Sequence, residues 1–261
     1  MAQVSSISRV RTTEPFELQV ARDQISFHKK IFKFGFNSDI DDSLETVWAQ
    51  GGLYSYLSSA TVLKISSSSI ADTSAGTGAR TIQIYGLDAN YDEVNETIIL
   101  NGRTAVNSTN EYLRINRAKV LTAGSGENNA GVIYAGTGTV TTGVPANIYA
   151  TIAIGDNQSL MCLWTVPRGY SAYLHQIDIT MNTEVANKFG TVHFVTRPNG
   201  GVFNMQDKFV LSQDIINQEF VYPIKYEEKT DLEVRGIASS SNANLAVSAG
   251  LDIIYIQNDG A

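Results

Sequence analysis

The sequence has few of the residues that enzymes and metal proteins most often use for chemistry. It contains one cysteine, Cys162, and three histidines, at positions 28, 175 and 193. A single cysteine excludes an internal disulfide framework and a cysteine-rich zinc site. The histidines have neither the H-x-x-x-H nor the H-E-x-x-H spacing of zinc-binding helices. We therefore expect no metal centre built on histidine or cysteine.

Long apolar runs are also lacking. No segment approaches the roughly 18 consecutive apolar residues of a membrane-spanning helix. The N-terminus has no basic start followed by an apolar run, so we expect no secretory signal. The formal net charge of −7 argues against binding mainly to the phosphates of nucleic acid. The nearest basic patch, Arg114, Arg117 and Lys119 beside Tyr112, is small.

No group of residues forms a recognisable catalytic motif. Cys162 lies in the apolar segment 160–164, which predicts a buried and unreactive thiol. The sequence contains neither a G-x-S-x-G motif nor a phosphate-binding glycine motif. The carboxylate pairs Glu93 with Glu96 and Glu227 with Glu228 are equally explained as charges at turns or strand edges. The sequence therefore favours a protein that is not an enzyme and has no cofactor.

Four acidic residues, Asp39, Asp41, Asp42 and Glu45, stand close together. Their oxygens could bind Ca²⁺, but the segment lacks the glycine and the final acid of an EF-hand loop. We interpret the cluster as a solvated loop that caps the following turn, without a metal ion.

The first 36 residues differ from the rest of the chain in charge and aromatic content. They carry six basic and three acidic residues, whereas the remainder carries a net charge of −10. Five of the ten phenylalanines also lie in this segment. A basic, aromatic leader on an acidic body is typical of an arm that lies on another surface, although a first strand with a solvated face is an equally good interpretation. We expect an extended N-terminal arm and connector over residues 1–60.

Beyond residue 60 the hydrophobic pattern has a period of two. Short apolar segments recur every 8–12 residues or so and are separated by turns rich in glycine, serine and asparagine, which is typical of all-β proteins. The sequence predicts two β-sandwich or jelly-roll-like domains, over residues 61–145 and 146–261. It also predicts a bulge within 111–120, where the alternation slips by one residue, a hairpin at Asn199-Gly200, and one or two helical turns within 212–219.

Several segments resemble structural proteins of tailed-bacteriophage virions, especially those of marine and cyanobacterial phages. The likeness extends over nearly the whole chain. It is carried by Ile7-Ser-Arg9, Glu14-Pro-Phe-Glu-Leu-Gln-Val-Ala-Arg22, Phe34-Gly-Phe-Asn37, Glu45-Thr-Val-Trp48, Gly76-Thr-Gly-Ala-Arg80, Gly86-Leu-Asp-Ala-Asn-Tyr91, Thr165-Val-Pro-Arg-Gly-Tyr170, Arg197-Pro-Asn-Gly-Gly-Val-Phe203 and Glu228-Lys-Thr-Asp-Leu-Glu-Val-Arg235.

The resemblance implies a non-enzymatic virion protein assembled in the cytoplasm of the bacterial host. A capsid decoration or cement protein is the favoured role, with the major capsid protein as partner and a homotrimer expected by analogy with other jelly rolls. The arm residues expected to contact partners are Arg9, Arg11, Phe16, Leu18, Val20, Arg22, Phe27, Lys29, Lys30, Phe32 and Phe34.

Two alternatives remain open. The first is a neck, tail, baseplate or fibre-anchoring component, whose partners would be neck or tail proteins. The second is a glycan-binding β-sandwich module with exposed aromatic residues among Tyr85, Tyr91 and Tyr134.

Overall fold

The computed structural model describes residues 14–183, 185, 187–241 and 243–258, and it is almost entirely β-structure. Its one helix in these residues is α1 (Phe16–Ala21). The strands are β1 (His28–Ile40), β2 (Glu45–Thr46), β3 (Thr61–Ser67), β4 (Ala79–Leu87), β5 (Glu93–Ile99), β6 (Val106–Tyr112), β7 (Arg114–Ala123), β8 (Ile133–Thr141), β9 (Val144–Ile152), β10 (Leu163–Thr165), β11 (Tyr170–Thr183), β12 (Gly190–Arg197), β13 (Asn204–Leu211), β14 (Ile215–Tyr226), β15 (Asp231–Ala238) and β16 (Leu245–Gln257). The all-β prediction is confirmed.

The strands form four antiparallel sheets. Sheet I has the order β1-β16-β11-β14, and sheet II has the order β10-β15-β12-β13 with β2 paired to β15. Sheet III has the order β6-β3-β8-β9, and sheet IV has the order β5-β4-β7. The four sheets are arranged in a propeller-like ring, and two separate jelly rolls are not evident.

Sheets III and IV are built from one continuous stretch of chain, β3 to β9, inserted between β2 and β10. Sheets I and II take their strands from both sides of this insertion. The hydrophobic interior follows the same grouping: one buried cluster draws its residues mainly from sheets I and II, and a second mainly from sheets III and IV.

β1 places residues 28–40 of the predicted arm and connector, which spanned residues 1–60, within the body of the protein. It pairs antiparallel with β16 from His28 opposite Ile256 to Asn37 opposite Val247. Gly35 lies at a close approach to the backbone, because a Cβ there would be 2.2 Å from the amide nitrogen of Cys162. The leader contains the helix α1 before it reaches β1, and from residue 28 it is an integral strand of the body.

The predicted boundary between residues 145 and 146 falls inside β9. That strand pairs with β8 on both sides of the boundary, from Val144 opposite Thr141 to Ile152 opposite Ile133. The division into domains stays a prediction, and the pairing places residues 146–152 with the strands that precede them.

Two local predictions are confirmed and one is wrong. In β7 the register against β4 shifts between Ile115 and Arg117, which leaves Asn116 as the extra residue of a bulge. β12 and β13 form the hairpin predicted at Asn199-Gly200. The predicted helical turns within 212–219 are absent, because Ile215 onward pairs with β11 as part of β14.

A buried carboxylate links the two groups of sheets. Asp231 of β15 accepts a hydrogen bond from Nε of Arg114 at 2.8 Å and from Nη2 of Arg197 at 2.5 Å. The hydroxyl of Thr165 donates to the same carboxylate at 2.5 Å. Arg114 begins β7 in sheet IV, whereas Arg197 and Asp231 belong to sheet II, so this contact crosses between the inserted strands and the rest of the chain.

Arginine and aromatic side chains alternate beside this carboxylate. The guanidinium carbons of Arg114 and Arg197 lie 5.0 and 4.4 Å from the ring centroid of Tyr56. Those of Arg197 and Arg235 lie 4.6 and 4.2 Å from the ring centroid of Phe203. Partly buried stacks of this kind are worth about 0.5–2 kcal/mol per contact, so they add to the ion pairs of Asp231.

We expect Asp231→Asn to lower the free energy of unfolding by about 3–5 kcal/mol, because it leaves two largely buried guanidinium groups without a full counter-charge. Urea denaturation measures the change. Asp92→Asn is the matched control, since Asp92 pairs with Arg168 in an exposed ion pair, and it should cost less than about 1 kcal/mol. Equal losses in the two variants would contradict a special role for Asp231.

Candidate functional site

The outer face of sheet I, which points away from the main core, is partly covered by the leader. Val20 of α1 and Ile25 pack against Ile254 of β16, with Phe16 and Ile256 at the margin. The remainder of the face is open.

Phe32 and Phe36 project from β1 on this open part, with exposed fractions of 49% and 37%. Apolar side chains therefore lie towards both ends of this face, and the leader covers only the end that contains Ile254.

The basic residues of the leader contact the chain's own body. Nζ of Lys29 lies 2.5 Å from Oε2 of Glu93 and 4.8 Å from the ring centroid of Tyr170. Arg22 pairs with Glu14 at the start of α1.

The predicted partner-binding residues thus divide into three groups. Arg9 and Arg11 lie outside the described residues. Phe16, Val20, Lys29 and Phe34 are at least half-buried against the body. Leu18, Arg22, Phe27, Lys30 and Phe32 are exposed. Contact with other subunits stays a prediction for the exposed group.

A second apolar surface was not anticipated from the sequence. We name residues 202–222, which include β13 and most of β14, the exposed hairpin, although these successive strands pair with β12 and β11 and not with each other. Six of its large apolar side chains are between 50% and 88% exposed. They are Val202, Met205, Val210, Ile215, Val221 and Tyr222. β13 and β14 are also the end strands of sheets II and I, so the residues that carry these exposed side chains lie on edge strands.

A wide bulge in β14 explains the most exposed pair. Leu174 of β11 pairs with Ile224 and Gln176 pairs with Glu219, so residues 220–223 oppose a single residue of β11. The bulge turns Val221 and Tyr222 into solvent. Two signals in the sequence could have marked it: Pro223 within the bulge, and the break in alternation at the consecutive residues 220–222.

The acidic cluster is only partly solvated, because Glu45 is buried and caps the backbone around it. Both oxygens of Glu45 accept backbone N–H groups: Oε1 from Asp41 at 3.0 Å and Oε2 from Gly52 at 2.7 Å. Oε2 also accepts from the side chain of Asn37 at 3.0 Å. Among the described residues, no group of three or more histidine, cysteine, aspartate or glutamate side chains is arranged to hold a metal ion.

The carboxylate pairs considered for hydrolysis have structural partners. Glu93 bonds Lys29 and the hydroxyl of Tyr255, while Glu96 accepts the backbone N–H groups of Thr109 and Asn110. These contacts brace β5 against its neighbours.

The tyrosines expected at a glycan-binding surface are not brought together. Tyr85 lies on β4 in sheet IV and lines a cleft beside sheet I. Tyr91 lines a different cleft, beside Arg114 and Lys229. Tyr134 lies on β8 in sheet III. A shared aromatic platform of these three residues is therefore absent.

Cys162 is fully buried, as predicted, and burial raises the pKa of its thiol to about 12. Beside it lies Lys33, which is also buried and donates a hydrogen bond to the backbone carbonyl of Asn116. Desolvation, followed by the nearby charge of Arg117, lowers the pKa of Lys33 to about 7. The low thiolate population makes Cys162 unsuited to nucleophilic chemistry.

The depressed pKa of Lys33 predicts a pH-dependent stability. Between pH 7 and 10 the unfolded chain binds a proton at Lys33 that the folded chain does not, so the contribution of Lys33 to the free energy of unfolding should rise by about 1.4 kcal/mol per pH unit. Below pH 7 both states bind the proton, and the contribution levels off at its least favourable value.

The free energy of unfolding of Lys33→Met should lack this rise, so its difference from wild type should change with pH. Lys30→Met, on the exposed face of the same strand, should keep the wild-type rise. Urea denaturation from pH 6 to pH 10 measures both. A constant difference between wild type and Lys33→Met over this range would refute the buried, neutral lysine.

No protein-family model matches the chain, and neither does any curated protein. A structure of the infectious bursal disease virus Gt strain is 10% identical over 90% of this chain and 74% of that chain, with a TM-score of 0.22. The T13 particle of the same virus gives 10% identity over 88% and 70%, with a TM-score of 0.25. The mosquito-larvicidal Cry4Aa toxin of Bacillus thuringiensis gives 9% identity over 90% and 58%, also with a TM-score of 0.25.

Likeness at this level does not establish a common fold. The resemblance to virion proteins of tailed bacteriophages therefore remains an expectation from the sequence. In the described residues, no helix is both long and apolar enough to cross a membrane.

Proposed function

We propose that this chain is a non-enzymatic structural protein of a bacteriophage virion, most simply a capsid decoration or cement protein that assembles with copies of itself and with the major capsid protein. The observation that carries the proposal is the concentration of exposed apolar side chains on the exposed hairpin. Large apolar side chains that are exposed along one segment of a folded chain are typical of a surface that other proteins cover.

The exposed hairpin combines two routes to association. Burying one large apolar side chain contributes roughly 1.5–3 kcal/mol before ordering costs. The free edges of β13 and β14 also offer unpaired backbone groups to a neighbouring strand. Virion assembly would repeat such a contact around a symmetry axis, which multiplies a modest contact by avidity. The trimer is an analogy with other jelly-roll proteins of virions.

The chemistry of the described residues supports a structural role. Cys162 is buried with a raised pKa. Among the acidic residues considered as metal ligands or hydrolytic groups, Glu45 and Glu96 hold backbone amides, and Glu93 holds a lysine and a tyrosine. These groups are engaged in holding the fold.

A neck, tail, baseplate or fibre-anchoring component is the second candidate, because the same exposed hairpin would serve contacts around a single axis. Copy number separates the two: icosahedral multiples favour decoration, whereas six or twelve copies favour the neck or tail.

We expect the wild-type chain to form a homo-oligomer at micromolar concentration and Val221→Asp to shift it to monomer, because a carboxylate cannot be buried in an apolar contact without a partner. Ile70→Asp is the control, since Ile70 is similarly exposed but lies outside the hairpin, in the loop after β3. Sedimentation velocity measures the mass, and melting temperature verifies folding. A monomeric wild type, or loss of the oligomer in both variants, would contradict the proposed assembly contact.

Deleting residues 1–13, which contain Arg9 and Arg11, should reduce incorporation into particles while the melting temperature stays unchanged. The deletion spares α1 and β1, both of which pack on the body. Quantitative mass spectrometry of purified particles gives the copy number of each form. Full incorporation of the shortened chain would show that the leader's first basic residues make no needed contact.

A further inference from the structure

A cleft of about 360 Å³ opens where sheet I meets sheet IV. Its walls come from β1 and β16 on one side and from β4, β5 and β7 on the other. The residues that matter for its chemistry are Tyr85, Glu93, Asn116, Arg117, Lys119 and Tyr255. This volume lies at the lower end of the range for small-molecule sites, which is about 300–1,000 Å³.

Asn116, the bulge residue of β7, supplies an unused acceptor in this cleft. Asn116 is 8% exposed, and its side-chain oxygen Oδ1 has no hydrogen-bond partner among the described residues. A buried carbonyl without a partner is costly and uncommon in folded proteins. This oxygen has almost no solvent-accessible surface, so a ligand hydroxyl or N–H in the cleft reaches it only after the Asn116 side chain rotates.

Two cations in the lining are free to take an anionic group. Arg117 donates from Nη2 to the backbone carbonyl of Phe32 at 2.9 Å, and Nζ of Lys119 lies 5.2 Å from the ring centroid of Tyr85. Neither has a carboxylate partner within the described part of the chain.

The one acidic residue of the lining is already engaged. Glu93 bonds Lys29 at 2.5 Å and the hydroxyl of Tyr255 at 3.1 Å. The cleft is therefore locally positive on a chain whose net charge is −7, and complementarity favours a carboxylate.

Aromatic rings complete the walls. Tyr85, Trp164 and Tyr255 line the cleft from three different strands. Rings that combine an apolar face with a polar group suit a ligand that has both C–H faces and hydroxyls. A sugar ring has this chemistry, and a carboxylate on it would match the two cations.

We propose that this cleft binds a uronic acid unit of a saccharide, with the sugar carboxylate on Arg117 and Lys119, a hydroxyl on Oδ1 of Asn116, and the ring against Tyr85. This site is independent of the proposed assembly contact, because the exposed hairpin contributes none of its lining residues.

The test is ligand-observed NMR and calorimetric titration with methyl β-D-glucuronide, methyl β-D-glucoside and acetate. We expect millimolar binding of the glucuronide and no detectable binding of acetate. The glucoside should bind at least about tenfold more weakly, because the charge-assisted contacts with Arg117 and Lys119 are lost.

Two pairs of variants locate the site. Arg117→Gln and Tyr85→Ala should weaken glucuronide binding by about tenfold or more, which is the effect of losing roughly 1.4 kcal/mol. Arg103→Gln is the first control, since Arg103 also donates to a backbone carbonyl but lies beyond the cleft. Tyr134→Ala, in sheet III, is the second.

The proposal is overturned by three results: no binding of the glucuronide, equal binding of acetate, or equal losses in the test and control variants. Equal affinity for glucoside and glucuronide would overturn the role of the two cations. Melting temperatures show whether each variant is folded. If Tyr85→Ala does not fold, the comparison of Arg117→Gln with Arg103→Gln decides the question.

Discussion

The pairing of β1 with β16 is the contact on which the rest of the architecture depends. It brings the beginning and end of the described chain into one sheet and thereby leaves β3 to β9 as an insertion between β2 and β10. It also fixes the path of the leader, since α1 can reach Ile254 and Ile256 only when β16 lies beside β1. The ion pairs of Asp231 then tie the inserted strands back to sheet II.

The sequence predicted the all-β class and the local features that depend on neighbouring residues. The slip at Asn116 and the Asn199-Gly200 turn are of this kind, because a phase change or a turn residue is visible within a few positions. The sequence did not predict that the leader would form β1, because alternating phenylalanines are equally compatible with an arm and with an edge strand. Its partner, β16, lies at the other end of the chain, and nothing in residues 28–40 specifies that pairing.

The candidate sites show the same limit. The exposed hairpin was missed because Val221 and Tyr222 are apolar residues in a strand, and such residues are ordinarily assigned to the core. Only the wide bulge opposite β11 turns them outward. The cleft between sheets I and IV was missed because Tyr85, Asn116 and Tyr255 come from distant parts of the sequence. Its free cations, Arg117 and Lys119, were recognised as a small patch and Tyr85 as a candidate glycan contact, but no pattern in the sequence predicted that these residues, Asn116 and Tyr255 share one cleft.

The antiparallel register of β1 and β16 has a mechanical consequence. His28 near the start of the described chain is the direct partner of Ile256 near its end, so a tension applied between the two termini acts at one end of the strand pair. Its hydrogen bonds are then loaded one after another, as in opening a zipper, and are never strained all together. A load borne through the leader would therefore peel β1 away from β16 progressively, beginning at His28.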